Sequence, residues 1–131
     1  MNKSEIMGGF NNHLAELLES LIEIIPENKD LKTALASLVA IRKANPKLII
    51  MSWKHYVLDK YEENIMSGNL DYFLEKDYSD DVKDTGDAAN ILDKIIVIKT
   101  TMKTLDKANL DKTLSYLQNL TKLCKVYFLQ Q

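Results

Sequence analysis

The sequence predicts an all-α fold: a single compact bundle of about five to six helices, with a central helix near residues 46–66 and an antiparallel helical hairpin at its C-terminal end. Three observations predict it. Apolar residues recur at intervals of three and four through most of the chain, the period of helices buried on one face. Glycine and proline number only 4 and 2, whereas an all-β chain of this length needs many turns built from them. The 131 residues are 46 % hydrophobic and 27 % charged, which suits one globular domain over residues 1–131 and argues against disorder.

The first helix carries Phe10, Leu14, Leu17, Leu18, Leu21, Ile22 and Ile25 on one stripe, with Glu16, Glu19 and Glu23 beside it. Gly8-Gly9 loosens its start, so residues 1–8 are expected as a flexible N-terminus. Pro26 ends it, because the proline ring disfavours a helical residue before it. Asp30 is the expected cap of the second helix, which turns Leu31, Leu35, Leu38, Val39 and Ile41 inward and holds Arg42 and Lys43 in its last turn, beside the negative end of the dipole. Asn45-Pro46 then opens the third helix, proline being suited to the first helical position.

That third helix is apolar on several sides in its first half: Leu48, Ile49, Ile50, Met51, Trp53, Tyr56 and Val57. A helix apolar nearly all round is expected at the centre of the bundle. Gly68 is its expected stop. A short helix or turn follows at 70–74. Residues 77–87, with Asp77, Asp80, Asp81, Asp84, Gly86 and Asp87, read as an acidic mobile loop. The fifth helix has the stripe Ile91, Leu92, Ile95, Ile98, Met102 and Leu105. Asp106 or Asn109 opens the sixth, with Leu110, Leu114, Leu117, Leu120, Leu123, Cys124 and Tyr127. Their short link is what predicts the hairpin.

Net charge is −2, unlike a typical nucleic-acid-binding domain. The charge is polarised, however: residues 1–87 carry 10 Lys+Arg and 16 Asp+Glu, a net of −6, and residues 88–131 carry 7 Lys and 3 Asp, a net of +4. Cys124 is the only cysteine, which excludes an intramolecular disulfide and fits a reducing compartment. No signal peptide is apparent at the start, and the longest unbroken apolar run, Leu48 to Met51, is far below the roughly 20 residues of a membrane span. Cytoplasm, nucleus or a particle assembled there is the expected location, not the secretory route.

Catalytic chemistry is hard to assemble from these residues. His13 and His55 are the only imidazoles, and neither falls in a nucleophile or metal motif. His55 and Asp59, four apart, are the one His–carboxylate pair that a helix would bring to one face, and such a pair is usually structural. The acidic loop fails as a calcium hand: counted from Asp77, position 6 is Val82 where glycine is needed, and position 12 is Ala88 where glutamate is needed. No enzyme activity, cofactor or metal is therefore expected.

Binding residues are easier to nominate. Lys99, Lys103 and Lys107 are spaced by four, with Lys94 nearby. They would make a stripe for phosphates, but Asp93, Asp106 and Asp111 interrupt it and Arg42 is the only arginine, so a solvated face is the preferred reading over nucleic acid. Among the clustered aromatics, Trp53, Tyr56 and Phe73 read as core, and Tyr61 and Tyr78 as contacts. The candidate partner-binding residues are thus Arg42, Lys43, Tyr61, Tyr78, Lys94, Lys99, Lys103 and Lys107. Cys124 shares a face with Leu117 and reads as a buried hydrophobe.

Three stretches carry a family resemblance: Arg42-Lys43-Ala44-Asn45-Pro46-Lys47 with Trp53 and Tyr56, then Asp71 to Tyr78, then Tyr116-Leu117-Gln118-Asn119-Leu120. Over roughly residues 10–127 the chain resembles small, largely uncharacterised helical proteins encoded by large double-stranded DNA viruses of algae and protists. The resemblance implies a viral protein, a minor capsid or virion component bridging larger subunits, and it supplies no catalytic residues. A non-enzymatic structural or adaptor protein is the leading expectation, with capsid subunits or other proteins as partners and a homo-oligomer open. The alternatives are a nucleic-acid-associated factor using the lysine stripe and a host-directed regulator presenting a groove to a partner helix.

Overall fold

The computed structural model describes residues 2–75 and 87–130. The described chain is helical: α1 (Lys3–Ile24), α2 (Lys29–Ala44), α3 (Pro46–Trp53), a π-helical turn (Lys54–Leu58), α4 (Asp59–Ser67), α5 (Asp71–Glu75), α6 (Asp87–Met102) and α7 (Lys107–Leu129). The all-α expectation holds, with no strand among the described residues. Residues 77–86 of the acidic loop, with Tyr78, lie outside them; Asp87, read as part of that loop, is instead the first residue of α6.

Helix boundaries follow local chemistry, with two corrections. α1 begins at Lys3 and runs through Gly8-Gly9, where the sequence suggested a flexible start. Asn2 caps it by accepting the Glu5 N–H at 2.8 Å, and buried Ile6 holds the first turn to the core. α2 is capped by Asn28, whose Oδ1 accepts the Leu31 N–H at 3.1 Å; Asp30, the expected cap, falls within the first turn. Pro46 does occupy the first turn of α3, and Gly68 does stop α4, at φ 82°, where the left-handed backbone favours glycine. Asp106 caps α7 through the Asn109 N–H at 2.9 Å.

α1 and α2 lie antiparallel, tied by the Arg42 guanidinium donating to the Gly8 carbonyl at 3.4 Å, and Asn11 Nδ2 holds α1 to the start of α3 by donating to the Pro46 carbonyl at 3.1 Å. α7 runs antiparallel to α1: Tyr116 meets His13, and Tyr127 meets Lys3. α6 runs antiparallel to α2, with Asn90 beside Ala44 and Leu48 and with Thr101 beside Asn28.

The central position expected for the third helix is the one observed. α3 packs against α1, α2, α6 and α7, and Ile49, Ile50, Trp53, Tyr56 and Val57 are all buried. One consequence alters the expected hairpin. α6 and α7 are antiparallel, but α6 rests chiefly on α2 and α3 while α7 rests chiefly on α1, the π turn and α4, with a lighter contact to α3. The core helix therefore stands between the two C-terminal helices.

The long central helix is also not uniform. Between Lys54 and Leu58 it widens to π geometry, and the Asp59 N–H reaches back five residues to the Lys54 carbonyl. This accommodates Tyr56, Val57 and Leu58, three consecutive buried residues that a straight amphipathic α-helix places on different faces. Hydroxyls along the packed faces are satisfied locally: Thr101, Thr113 and Thr121 donate to the carbonyls four residues earlier at 2.7–2.8 Å.

Candidate interaction surface

The seam between α1 and α7 is the surface with the most to offer a partner, because its two ends differ in chemistry. Glu16, Glu19 and Glu23 lie three and four apart and so share one exposed face of α1, opposite buried Leu14, Leu17, Leu18 and Leu21. With Ser20, and with Lys112 and Tyr116 of α7, they line an open hollow. Three carboxylates against one ammonium leave it negative. At its edge His13 Nδ1 is 3.5 Å from Glu16 Oε2, and the His13 ring packs on Tyr116 with centroids 4.8 Å apart. Among the described residues no group of three or more His, Cys, Asp and Glu side chains is placed to hold a metal ion. The hollow's negative balance suits a cationic side chain.

At the opposite end, Ile6 of α1 and Lys122, Leu123, Val126 and Gln130 line a second, mostly apolar groove. Beside it Leu129 is 70 % exposed and Val126 42 %. The heptad-like spacing Lys122, Val126, Leu129 puts these three on one outward stripe. Lys125, on the flank, is engaged by Glu62 at 2.6 Å. From Ile6 to Glu19, the middle of the acidic row, α1 spans 13 residues, about 20 Å at about 1.5 Å per residue, so the two hollows have separate centres on the seam.

The nominated residues are placed less favourably. Tyr61 is 1 % exposed, correcting its reading as a surface contact: it lies one turn from both buried Val57 and buried Ile65, with its ring 5.3 Å from Phe73 and 5.6 Å from Tyr72. Lys99 is corrected likewise. It is 5 % exposed, on the same stripe as Ile95 and Met102, with its ammonium 5.8 Å from the Phe73 ring centroid. Its burial breaks the lysine stripe: Lys103 and Lys107 are exposed, Lys94 is half-buried, and Lys107 pairs with Asp111 at 3.5 Å. Arg42 is half-buried and spent on Gly8, whereas Lys43 is exposed.

The His55–Asp59 pair finds a different arrangement. Both carboxylate oxygens of Asp59 accept from Lys54, while His55 is exposed with its ring against Tyr56. Cys124 is buried as expected. Its thiol is 3.5 Å from the Ile50 carbonyl, and burial pushes its pKa from 9.0 to about 12, which makes it a poor nucleophile at neutral pH.

No family model, no characterised protein and no solved structure matches this chain. No helix among the described residues is long and apolar enough to cross a membrane. What the sequence reading missed was the α1–α7 seam. Its signal was present in Val126 and Leu129, apolar residues outside the Leu117–Leu120–Cys124–Tyr127 core stripe.

Proposed function

We propose that this protein is a non-enzymatic helical adaptor, a minor component of a virus particle that bridges larger protein subunits. The observation that carries the reading is the apolar groove of Ile6, Leu123 and Val126 with Leu129 standing exposed beside it. Large apolar side chains gathered at one exposed place mark a contact surface. The acidic hollow, centred about 20 Å away along the same helix pair, gives the molecule a second, chemically distinct contact, which is what bridging requires. The viral assignment rests on the family resemblance alone.

Mass spectrometry of purified particles tests the particle role directly; absence of the protein removes it. Glu19→Lys with Glu23→Lys tests the acidic contact. The double variant should keep the wild-type circular dichroism spectrum and lose cross-links between α1 and a basic partner subunit. Unchanged cross-links would count against the bridge. The nucleic-acid reading has no structural observation in its favour, since Lys99 is turned into the core.

A further inference from the structure

We infer that the groove at the C-terminal end of the α1–α7 seam takes a second copy of this chain, joined by antiparallel pairing of the two α7 helices about a twofold axis at Val126. The inference rests on reading this groove as a contact surface, and it names the occupant.

Three features agree on one register. In an antiparallel pair centred on Val126, residue 129 of each chain falls opposite residue 123 of the other. Leu129 is the knob, 70 % exposed, and Leu123 lies in the groove with Ile6 and Val126, so each chain offers both the projecting leucine and the hollow that receives it. Val126 then meets its own symmetry mate, apolar against apolar. Residue 122 falls opposite residue 130, which is the C-cap of α7. The last turn of α7 contains no basic residue, although its terminal carbonyls form the negative end of the helix dipole; of the last four, that of Tyr127 accepts the Gln130 N–H at 3.3 Å, and the others lie beyond the helical ladder. Lys122 is exposed and makes no ion pair among the described residues; in this register it meets those carbonyls in the partner. Charge complementarity thus arises between a lysine and a helix end, with no carboxylate needed. The other nearby cations are occupied: Lys125 by Glu62, and Lys3 over the Tyr127 ring at 4.7 Å.

The register brings together only Ile6, Lys122, Leu123, Val126, Leu129 and Gln130 of each chain, far fewer than the roughly 20–30 residues a side of a standard interface, so the dimer is a weak one, with a dissociation constant on the order of 0.1–1 mM. Its effect is to leave both acidic hollows open and to hold them in one bivalent unit.

Sedimentation of the full chain across about 0.01–1 mM tests this, the range being set by that expected affinity. Wild type should move from monomer to dimer. Leu129→Asp should remain monomeric throughout with an unchanged circular dichroism spectrum, and Lys122→Glu should weaken the dimer by about tenfold, since it sets a carboxylate against carbonyl oxygens. A third variant fixes the register. Val126→Cys should cross-link to itself under diamide, while the parent chain, whose Cys124 is buried, should not. A monomer at every concentration, a dimer indifferent to Leu129→Asp, or no cross-link through Val126→Cys each overturns the inference. Particle association of the same variants separates it from the bridging role: a monomeric wild-type chain that still co-purifies with particles sinks only the dimer, and a dimer that does not co-purify sinks only the particle role.

Discussion

The Lys54 ammonium lies 3.0 Å from Asp59 Oδ1 and 3.1 Å from Oδ2, across five residues rather than the four of a regular helical pair. The separation follows from the π turn between them, which carries one more residue per turn than its neighbours. The ion pair is half in solvent, with side chains 39 % and 49 % exposed. Lys54→Ala should therefore cost less than about 1 kcal/mol in urea unfolding. Deleting the exposed His55 should return this stretch to regular α geometry and leave α4 nearly in phase, because a π turn takes up one added residue, so Tyr61 and Ile65 stay on the core face and the loss stays below about 2 kcal/mol. A loss of about 3 kcal/mol or more, the cost of taking those two side chains out of the core, would show that the π turn does not absorb the extra residue.

The core should be sensitive at α3 and indifferent at its outer edge. Trp53 is fully enclosed and meets Phe10 edge-to-face at 5.7 Å. Trp53→Ala should lose about 3–5 kcal/mol. Met51, on the opposite side of the same helix and 47 % exposed, should tolerate alanine within about 0.5 kcal/mol. Thermal melts of the two variants provide the check.

Lys99 and Lys103 look equivalent in sequence and should behave as opposites. Lys99→Glu places a carboxylate in the buried site against Phe73 and should destabilise by more than about 2 kcal/mol. Lys103→Glu, on the exposed face, should stay within about 0.5 kcal/mol. Comparable melting temperatures for the two would mean that Lys99 reaches solvent.

Alkaline pH should weaken the fold through Cys124. Burial raises its pKa from 9.0 to about 12, so above pH 9 the unfolded chain loses the thiol proton while the folded chain keeps it. The stabilisation is fully present below pH 9 and falls by about 1.4 kcal/mol per pH unit from there towards pH 12. Cys124→Ala should flatten this part of the stability profile. A maleimide should likewise label the native thiol much more slowly than the unfolded one.

Most of the fold could be read from spacing, and the errors have physical causes. Heptad-like intervals placed the core faces of α1, α6 and α7, because each is buried along one side only; on α2 they placed Leu31 and Leu38, while Val39, read as part of the same face, is 44 % exposed. The π turn escaped, since an inserted residue leaves apolar periodicity nearly intact; its trace was the run Tyr56-Val57-Leu58, too broad for one helical face. Lys99 and Tyr61 were misplaced because residue type was given more weight than position. Lys99 is four residues from Ile95 and Tyr61 is four from Ile65, so both stand on buried stripes, and a long alkyl stem or a ring suits such a place despite its polar tip. The α1–α7 seam was harder to see for another reason: pairing between the two ends of a chain leaves no mark on local periodicity, and its trace was confined to Val126 and Leu129, the apolar residues off the core stripe.

That pairing also sets the order in which the molecule can assemble. Contacts such as Lys3 with Tyr127 close a circuit through nearly the whole polypeptide, and a closure so distant in sequence is entropically costly until the intervening helices have formed. The first and last helices therefore act as a clasp fastened late. Pulling either end outward would open the bundle from the seam, with α7 peeling away before the wedge of α3 is disturbed.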